Sequence, residues 1–251
     1  MKTTVERIHS NHTRLYVWEL PVRFFHWLNA ACIVVLCLTG YLIGDPPALV
    51  RSQEAWQLYG FAWVRFVHFA AAFVFIFNFV FRIYWGFVGN KYADWRNFLL
   101  YRKDQVRELV NVLKIDVFMV SNDAHLITSH GHNMLASLTY FGFFLLSLFQ
   151  IISGFGLYAP MSTWQMVGWF TWIVPLMGGD AVVRQWHHIV MWFYIIFTMF
   201  HIYIVFYHDY VEKNGITSSM FSGWKFLEQP GSKVRHVPEQ EVAGHHHTPR
   251  V

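Results

Sequence analysis

Residues 187–207 read HHIVMWFYIIFTMFHIYIVFY. The run is long and apolar enough to cross a bilayer, since about 20 helical residues span the hydrocarbon core. Yet it carries histidines at its start and again two-thirds of the way along. His187 and His201 are fourteen residues apart. At about 100° per residue they return to within about 40° of one face, separated by a rise of about 21 Å. His188 lies about 140° off the face of His201 and is the poorer partner. His208 lies near the right face but belongs with the headgroups at the end of the span. Ionisable residues inside membrane spans are rare and usually functional.

Three further runs of the same character occupy residues 24–43, 66–88 and 134–159. The expected fold class is therefore all-α, an integral-membrane four-helix bundle. Composition agrees. Of 251 residues, 55% are hydrophobic and only 14% charged, against about 25% charged in soluble domains. Aromatic residues make up 20%, which excludes disorder, collagen and coiled coil. The net charge of +4 is too small and scattered for nucleic-acid binding. Cys32 and Cys37 lie five apart in one span and face different sides, which does not suit a disulfide. The absence of CxxCH and CxxC argues against covalent haem attachment and an iron–sulfur cluster. The first run starts too far in, and is too long, for a cleaved signal peptide.

Orientation follows from basic residues flanking the spans. The N-terminal segment carries Lys2, Arg7, Arg14 and Arg23, and the connection between spans two and three carries Lys91, Arg96, Arg102, Lys103, Arg107 and Lys114. Lys213, Lys225, Lys233, Arg235 and Arg250 follow span four. The other two connections are poor in basic residues. Both termini and the middle loop are thus expected in the cytoplasm, and the chain divides into a four-span membrane domain, 1–212, and a polar cytoplasmic tail, 213–251, loosely ordered from about Gly215. Within the middle loop, residues 94–118 mix apolar and charged side chains like a helix lying on the membrane surface. Trp164, Trp169 and Trp172 in the last connection suit either membrane anchoring or a partner-docking surface.

Two more histidines lie inside spans, His26 in the first and His68 in the second. Depth alone pairs His68 with His187 near the outer surface and His26 with His201 near the inner one. A single membrane histidine is often a satisfied core residue, but four in two depth-matched pairs fit that reading poorly. A bare metal ion would gather its ligands at one depth. Two neutral imidazoles can hold a haem iron axially, so the pairs predict two haem b sites. Arg23, Arg65 and Arg184 each precede a candidate ligand by three residues, on the same helix face, where each could neutralise a haem propionate; interfacial snorkelling is the plainer alternative. Gly40, fourteen residues after His26, would let a flat macrocycle approach the backbone at the outer site. Arg82, fourteen after His68, reaches the inner level. Gly142, Gly154 and Gly156 read more simply as helix packing.

The stretches WELPVRFFHWLN, VRFVHFAAAFVF and GGDAVVRQWHHIVMWFYIIFTMFHIY resemble the b-type cytochrome subunits of membrane-bound nickel–iron hydrogenases, those of enteric bacteria included. The resemblance covers nearly the whole chain. More distantly, the chain is similar to the membrane subunits of formate dehydrogenases and thiosulfate reductases. The resemblance implies axial ligation by His26, His68, His187 and His201 in the bacterial inner membrane. It also implies a periplasmic partner, the hydrogenase small subunit with its iron–sulfur chain and through it the large subunit, and delivery of electrons to quinone. The chain would then be an accessory electron-transfer subunit that does not itself split hydrogen. A purely structural anchor is the alternative of another class. At the start of span three, His132 and Asn133 could hydrogen-bond a quinone carbonyl, and a histidine can deliver a proton at neutral pH; a polar helix start with Asn133 capping is the plainer reading.

Overall fold

Glu19-Leu20-Pro21 opens the first long helix, α1 (Leu20–Gly44), with proline in the first turn, where its missing N–H breaks no helical bond. In the computed structural model, residues 5–9, 12–46, 59–90, 93–95, 134–212 and 215–228 are described. The other helices of the order expected are α2 (Tyr59–Val88) and α3 (Met134–Tyr158). Two short helices, α4 (Gln165–Gly168) and α5 (Ile173–Leu176), precede α6 (Asp180–Glu212). Four helices are long and apolar enough to cross a membrane, and the chain is a multi-pass membrane protein.

Two of these helices extend beyond the apolar runs that announced them. The second begins at Tyr59 rather than Phe66, because Arg65 interrupts hydropathy without interrupting the helix; its guanidinium lies 5.0 Å from the ring centre of Phe61, one turn back. The fourth begins at Asp180, whose carboxylate accepts a hydrogen bond of 2.7 Å from Arg184 Nε and complements the positive end of the helix dipole. Gly178 and Gly179, at φ +94° and +119°, turn the chain into that helix; L side chains are strained there.

Helix α1 packs along α2 and against α6, and α6 packs against α3. Aromatic pairs tie α2 to α3, with ring centres 4.7 Å apart for Phe79 and Phe144 and 4.8 Å for Phe69 and Tyr158. Large side chains such as Phe77, Phe87 and Met199 point outward, as a lipid-facing surface requires. At the end of the bundle remote from the termini, here the loop end, residues 159–179 fold back over α3. Phe170 stacks on Phe155 at 4.9 Å, and Ile173 fills the space left by Gly156, where an added Cβ would come within 2.1 Å of its Cγ2. Trp164 and Trp169 stay exposed.

At the opposite, terminus end a small sheet accompanies the all-α bundle. Strands β1 (Val5–His9), β2 (His12–Tyr16) and β3 (Trp224–Glu228) form a small antiparallel sheet with β2 in the middle, pairing Leu15 with Lys225 and Tyr16 with Trp224. The tail, expected to be loosely ordered from about Gly215, is structured from 215 to 228. Helix α7 (Ile216–Ser222) runs between Gly215 and Gly223, both at positive φ, and the Gly223 carbonyl accepts hydrogen bonds from the N–H groups of Val17 and Trp18 at 2.9 and 3.2 Å. Ring packing of Tyr16 on Trp224 and burial of Leu15 and Val17 stabilise the sheet. The buried Glu19 carboxylate ties this end together, accepting from Trp85 Nε1 and the Asn90 N–H, each at 3.1 Å. Apart from Asp94 and Trp95, the expected surface helix at 94–118 lies outside the described residues, as does the tail beyond 228.

Candidate functional site

Antiparallel helices bring residues far apart in sequence to the same depth. At the loop end, α2 carries His68 and α6 carries His187. Thr39 Oγ1 on α1 lies 2.8 Å from His68 Nδ1, and Ser153 Oγ on α3 lies 2.8 Å from His187 Nδ1. A hydroxyl has one proton, and in both cases the chain's own helix takes it. Thr39 donates to the Val35 carbonyl at 2.6 Å, and Ser153 to the Gln150 carbonyl at 3.3 Å. Each hydroxyl oxygen is then left to accept. A ring that binds a metal through Nε2 carries its proton on Nδ1, and each hydroxyl stands 2.8 Å from that nitrogen, where its oxygen can accept it.

The residue after each hydroxyl is glycine. A Cβ added to Gly40 would meet His68 Cε1 at 3.3 Å, and one added to Gly154 would meet His187 Cε1 at 3.4 Å. Gly40 was expected at this level from spacing alone, whereas Gly154 was assigned to packing and instead faces a candidate ligand. His188 turns away. Its ring lies against Gly44 on α1, 2.7 Å from where a Cβ would stand. The choice between the adjacent histidines is thus made by direction: His187 faces the Ser153–Gly154 step and His188 does not.

At the terminus end, His26 of α1 and His201 of α6 approach with ring centres 6.2 Å apart and planes inclined by 50°. The depth is marked by buried Asn78, whose Nδ2 donates to the Phe25 carbonyl at 3.2 Å. His201 stacks on Phe197. His26 Nδ1 and Arg23 Nε are buried and make no hydrogen bond among the described residues. The Arg23 guanidinium meanwhile donates through Nη1 to the Phe221 carbonyl, and Trp27 Nε1 donates to the Met220 carbonyl at 3.1 Å. The C-terminal helix α7 therefore closes over the side of this pair, a contribution the sequence did not announce.

The arginines are less uniform than their spacing suggests. Arg184 is paired with Asp180, Arg65 covers Phe61, and of these three ligand-adjacent arginines Arg23 keeps a buried Nε–H with no hydrogen bond among the described residues. Arg82 donates to the Ala93 carbonyl at 3.3 Å and lies over the rings of Trp95 and Tyr140; these contacts do not join it to His26 or His201. His132 and Asn133 fall outside the described residues.

Residues 17–223 match the family described as prokaryotic cytochrome b561. The chain belongs to that family. Among its relatives, a probable Ni/Fe-hydrogenase B-type cytochrome subunit of Cupriavidus necator is 37% identical over 215 residues, covering 84% of this chain and 86% of the relative. A subunit of the same description from Azotobacter vinelandii is 37% identical over 222 residues, 86% of this chain and 90% of its own length. The probable Ni/Fe-hydrogenase 1 B-type cytochrome subunit of Escherichia coli K12 is 35% identical over 216 residues, 84% and 90% of the two chains.

Membership of a b-type cytochrome family implies haem b, and the residues of this b561-family chain fit it. Two imidazoles bound on opposite sides of one iron, each with a metal–nitrogen bond of about 2 Å, have ring centres about 6 Å apart, and His26 and His201 stand at 6.2 Å. At the loop end each histidine has a hydroxyl 2.8 Å from Nδ1, which leaves Nε2 for a metal, and glycines keep the backbone clear beside them. Among the described residues no cluster of three or more histidine, cysteine, aspartate or glutamate side chains could cage a bare metal ion.

Proposed function

We propose that this chain is the membrane cytochrome subunit of a nickel–iron hydrogenase, carrying electrons from a periplasmic small subunit across the bacterial inner membrane to the quinone pool and anchoring the complex there. The observation that carries the reading is the division of four intramembrane histidines into two pairs at two depths, His68 with His187 and His26 with His201. The relatives' descriptions as hydrogenase cytochrome subunits support the choice of partner.

Each pair would hold one haem b, which supplies a one-electron ferric/ferrous couple when bound. The chain's own residues do the rest. Thr39 and Ser153 would accept the Nδ1–H of the loop-end pair and so favour binding through Nε2. Gly40 and Gly154 leave room for a flat group, and Arg23 offers a buried N–H to an anionic edge at the terminus end. The charge distribution of the flanks puts the termini in the cytoplasm, so the loop end faces the partner and the exposed Trp164, Trp169 and Met166 are available to it or to the membrane interface. Quinone is taken at the terminus end, where His132 and Asn133 lead into α3 and can hydrogen-bond its carbonyl and deliver a proton.

The test uses the complete complex in membranes. His68→Ala and His187→Ala are expected to remove the loop-end haem and abolish hydrogen-driven quinone reduction, while a soluble dye is still reduced by the hydrogen-splitting subunits. A normal two-haem spectrum with full quinone reduction in either variant would contradict the assignment.

A further inference from the structure

The loop-end histidines share a local arrangement that the terminus-end pair does not repeat. On α1 the step is Thr39-Gly40, and on α3 it is Ser153-Gly154. In both, the hydroxyl lies 2.8 Å from the imidazole Nδ1 and bonds to a carbonyl three or four residues back in its own helix, so a ring bound to iron through Nε2 donates its Nδ1–H to it. The glycine that follows lets the Cε1 edge of the ring approach the backbone. Two different helices thus apply the same hydroxyl–glycine clamp to the two ligands of one site. His26, by contrast, has a buried Nδ1 with no hydrogen bond among the described residues.

From this asymmetry we infer that Thr39 and Ser153 are positioning residues that set the loop-end haem at a lower reduction potential than the terminus-end haem, so that the bundle itself defines the downhill direction. The inference rests on the haem-ligand reading proposed above. An N–H···O bond from a metal-bound imidazole raises its basicity and its electron donation to the metal. Stronger donation stabilises ferric over ferrous iron, and second-shell hydrogen bonding is one of the levers a protein has on haem potential. Both hydroxyls are themselves polarised by donating to a helix carbonyl, which makes each a better acceptor. His26 lacks that support and is the weaker donor. An electron entering at the loop end therefore meets the lower potential first.

The experiment is a mediated potentiometric titration of the purified complex, following the reduced b-type absorption and the low-spin ferric resonance. The His68→Ala complex, retaining only the terminus-end haem, assigns the two waves. In the parent, the loop-end wave is expected at the lower potential. Thr39→Val and Ser153→Ala are expected to move that wave upward, with the other wave unmoved, and the double variant to move it further. Thr39→Ser and Ser153→Thr keep the hydroxyl and are expected to keep the parent potential. If a valine or alanine variant loses the haem, the hydroxyl-retaining variant decides: parent occupancy and potential support the inference, and loss equal to the first variant overturns it. A loop-end wave that stays in place with haem retained, or two waves that shift together, overturns it also. Absence of b-type haem from the parent complex would instead overturn the underlying ligand reading, before any variant is made.

Discussion

Replacing Gly40 by alanine should raise helix stability and weaken haem binding at once. In a helix interior, alanine is favoured over glycine by about 0.8–1 kcal/mol, so α1 on its own gains. The new methyl, however, would stand 3.3 Å from His68 Cε1 and 3.6 Å from Met191 Sδ. Carbon contacts settle at about 3.5–4.0 Å, so the ring must retreat by a few tenths of an ångström. Metal ligation tolerates about 0.2 Å, and the Thr39 hydroxyl, one residue away, restrains the same ring at 2.8 Å. The loop-end haem should therefore be partly lost in Gly40→Ala and wholly lost in Gly40→Val. Gly142 on α3 is the control, because a Cβ there meets nothing within 4 Å; Gly142→Ala should gain the helix term and keep both haems. The assay is haem per chain, from the reduced-minus-oxidised spectrum, beside the thermal aggregation temperature of the detergent-solubilised complex. Full haem content in Gly40→Val, or equal loss in Gly142→Ala, would refute the reasoning.

Three further outcomes are expected. A reporter fused after Tyr207 should read cytoplasmic and one placed between Trp164 and Trp172 periplasmic; the reverse pattern would exchange the faces assigned to partner and quinone. Truncation before Gly215 removes β3 and α7, leaving a two-stranded hairpin that is marginal alone and freeing Arg23 and Trp27 of their carbonyl partners; the melting temperature should fall, and the terminus-end haem should be lost more readily than the loop-end one, as separate reduced spectra would show. His132→Ala with Asn133→Ala should slow quinone reduction selectively, with dye reduction and both haem spectra retained, whereas unchanged quinone kinetics would move the site elsewhere.

The four spans were legible because hydropathy over about 20 residues is the strongest signal a membrane chain carries. The pairing of His26 with His201 was legible too, since a fixed rise per residue turns sequence position into depth. Thr39 and Ser153 were not singled out. A lone hydroxyl in a span is unremarkable until the facing helix is known, although the repeated hydroxyl–glycine step was there to be seen. Gly154 was set aside for the same reason: spacing gives depth and face along one helix but not which neighbour stands opposite. The sheet escaped notice because its strands are five residues each and the second of its two pairings joins positions more than two hundred residues apart, with Tyr16 against Trp224. Arg184 matched its ligand by spacing, yet Asp180 one turn earlier competes for its guanidinium.

Haem stoichiometry of the purified complex tests the central claim most directly. The account predicts two b-type haems per copy of this chain, both low-spin with two nitrogen ligands, falling to one in His187→Ala and to one in His201→Ala, each variant keeping the haem that the other loses. A single haem in the parent, or loss of the same haem in both variants, would contradict two separate sites at two depths.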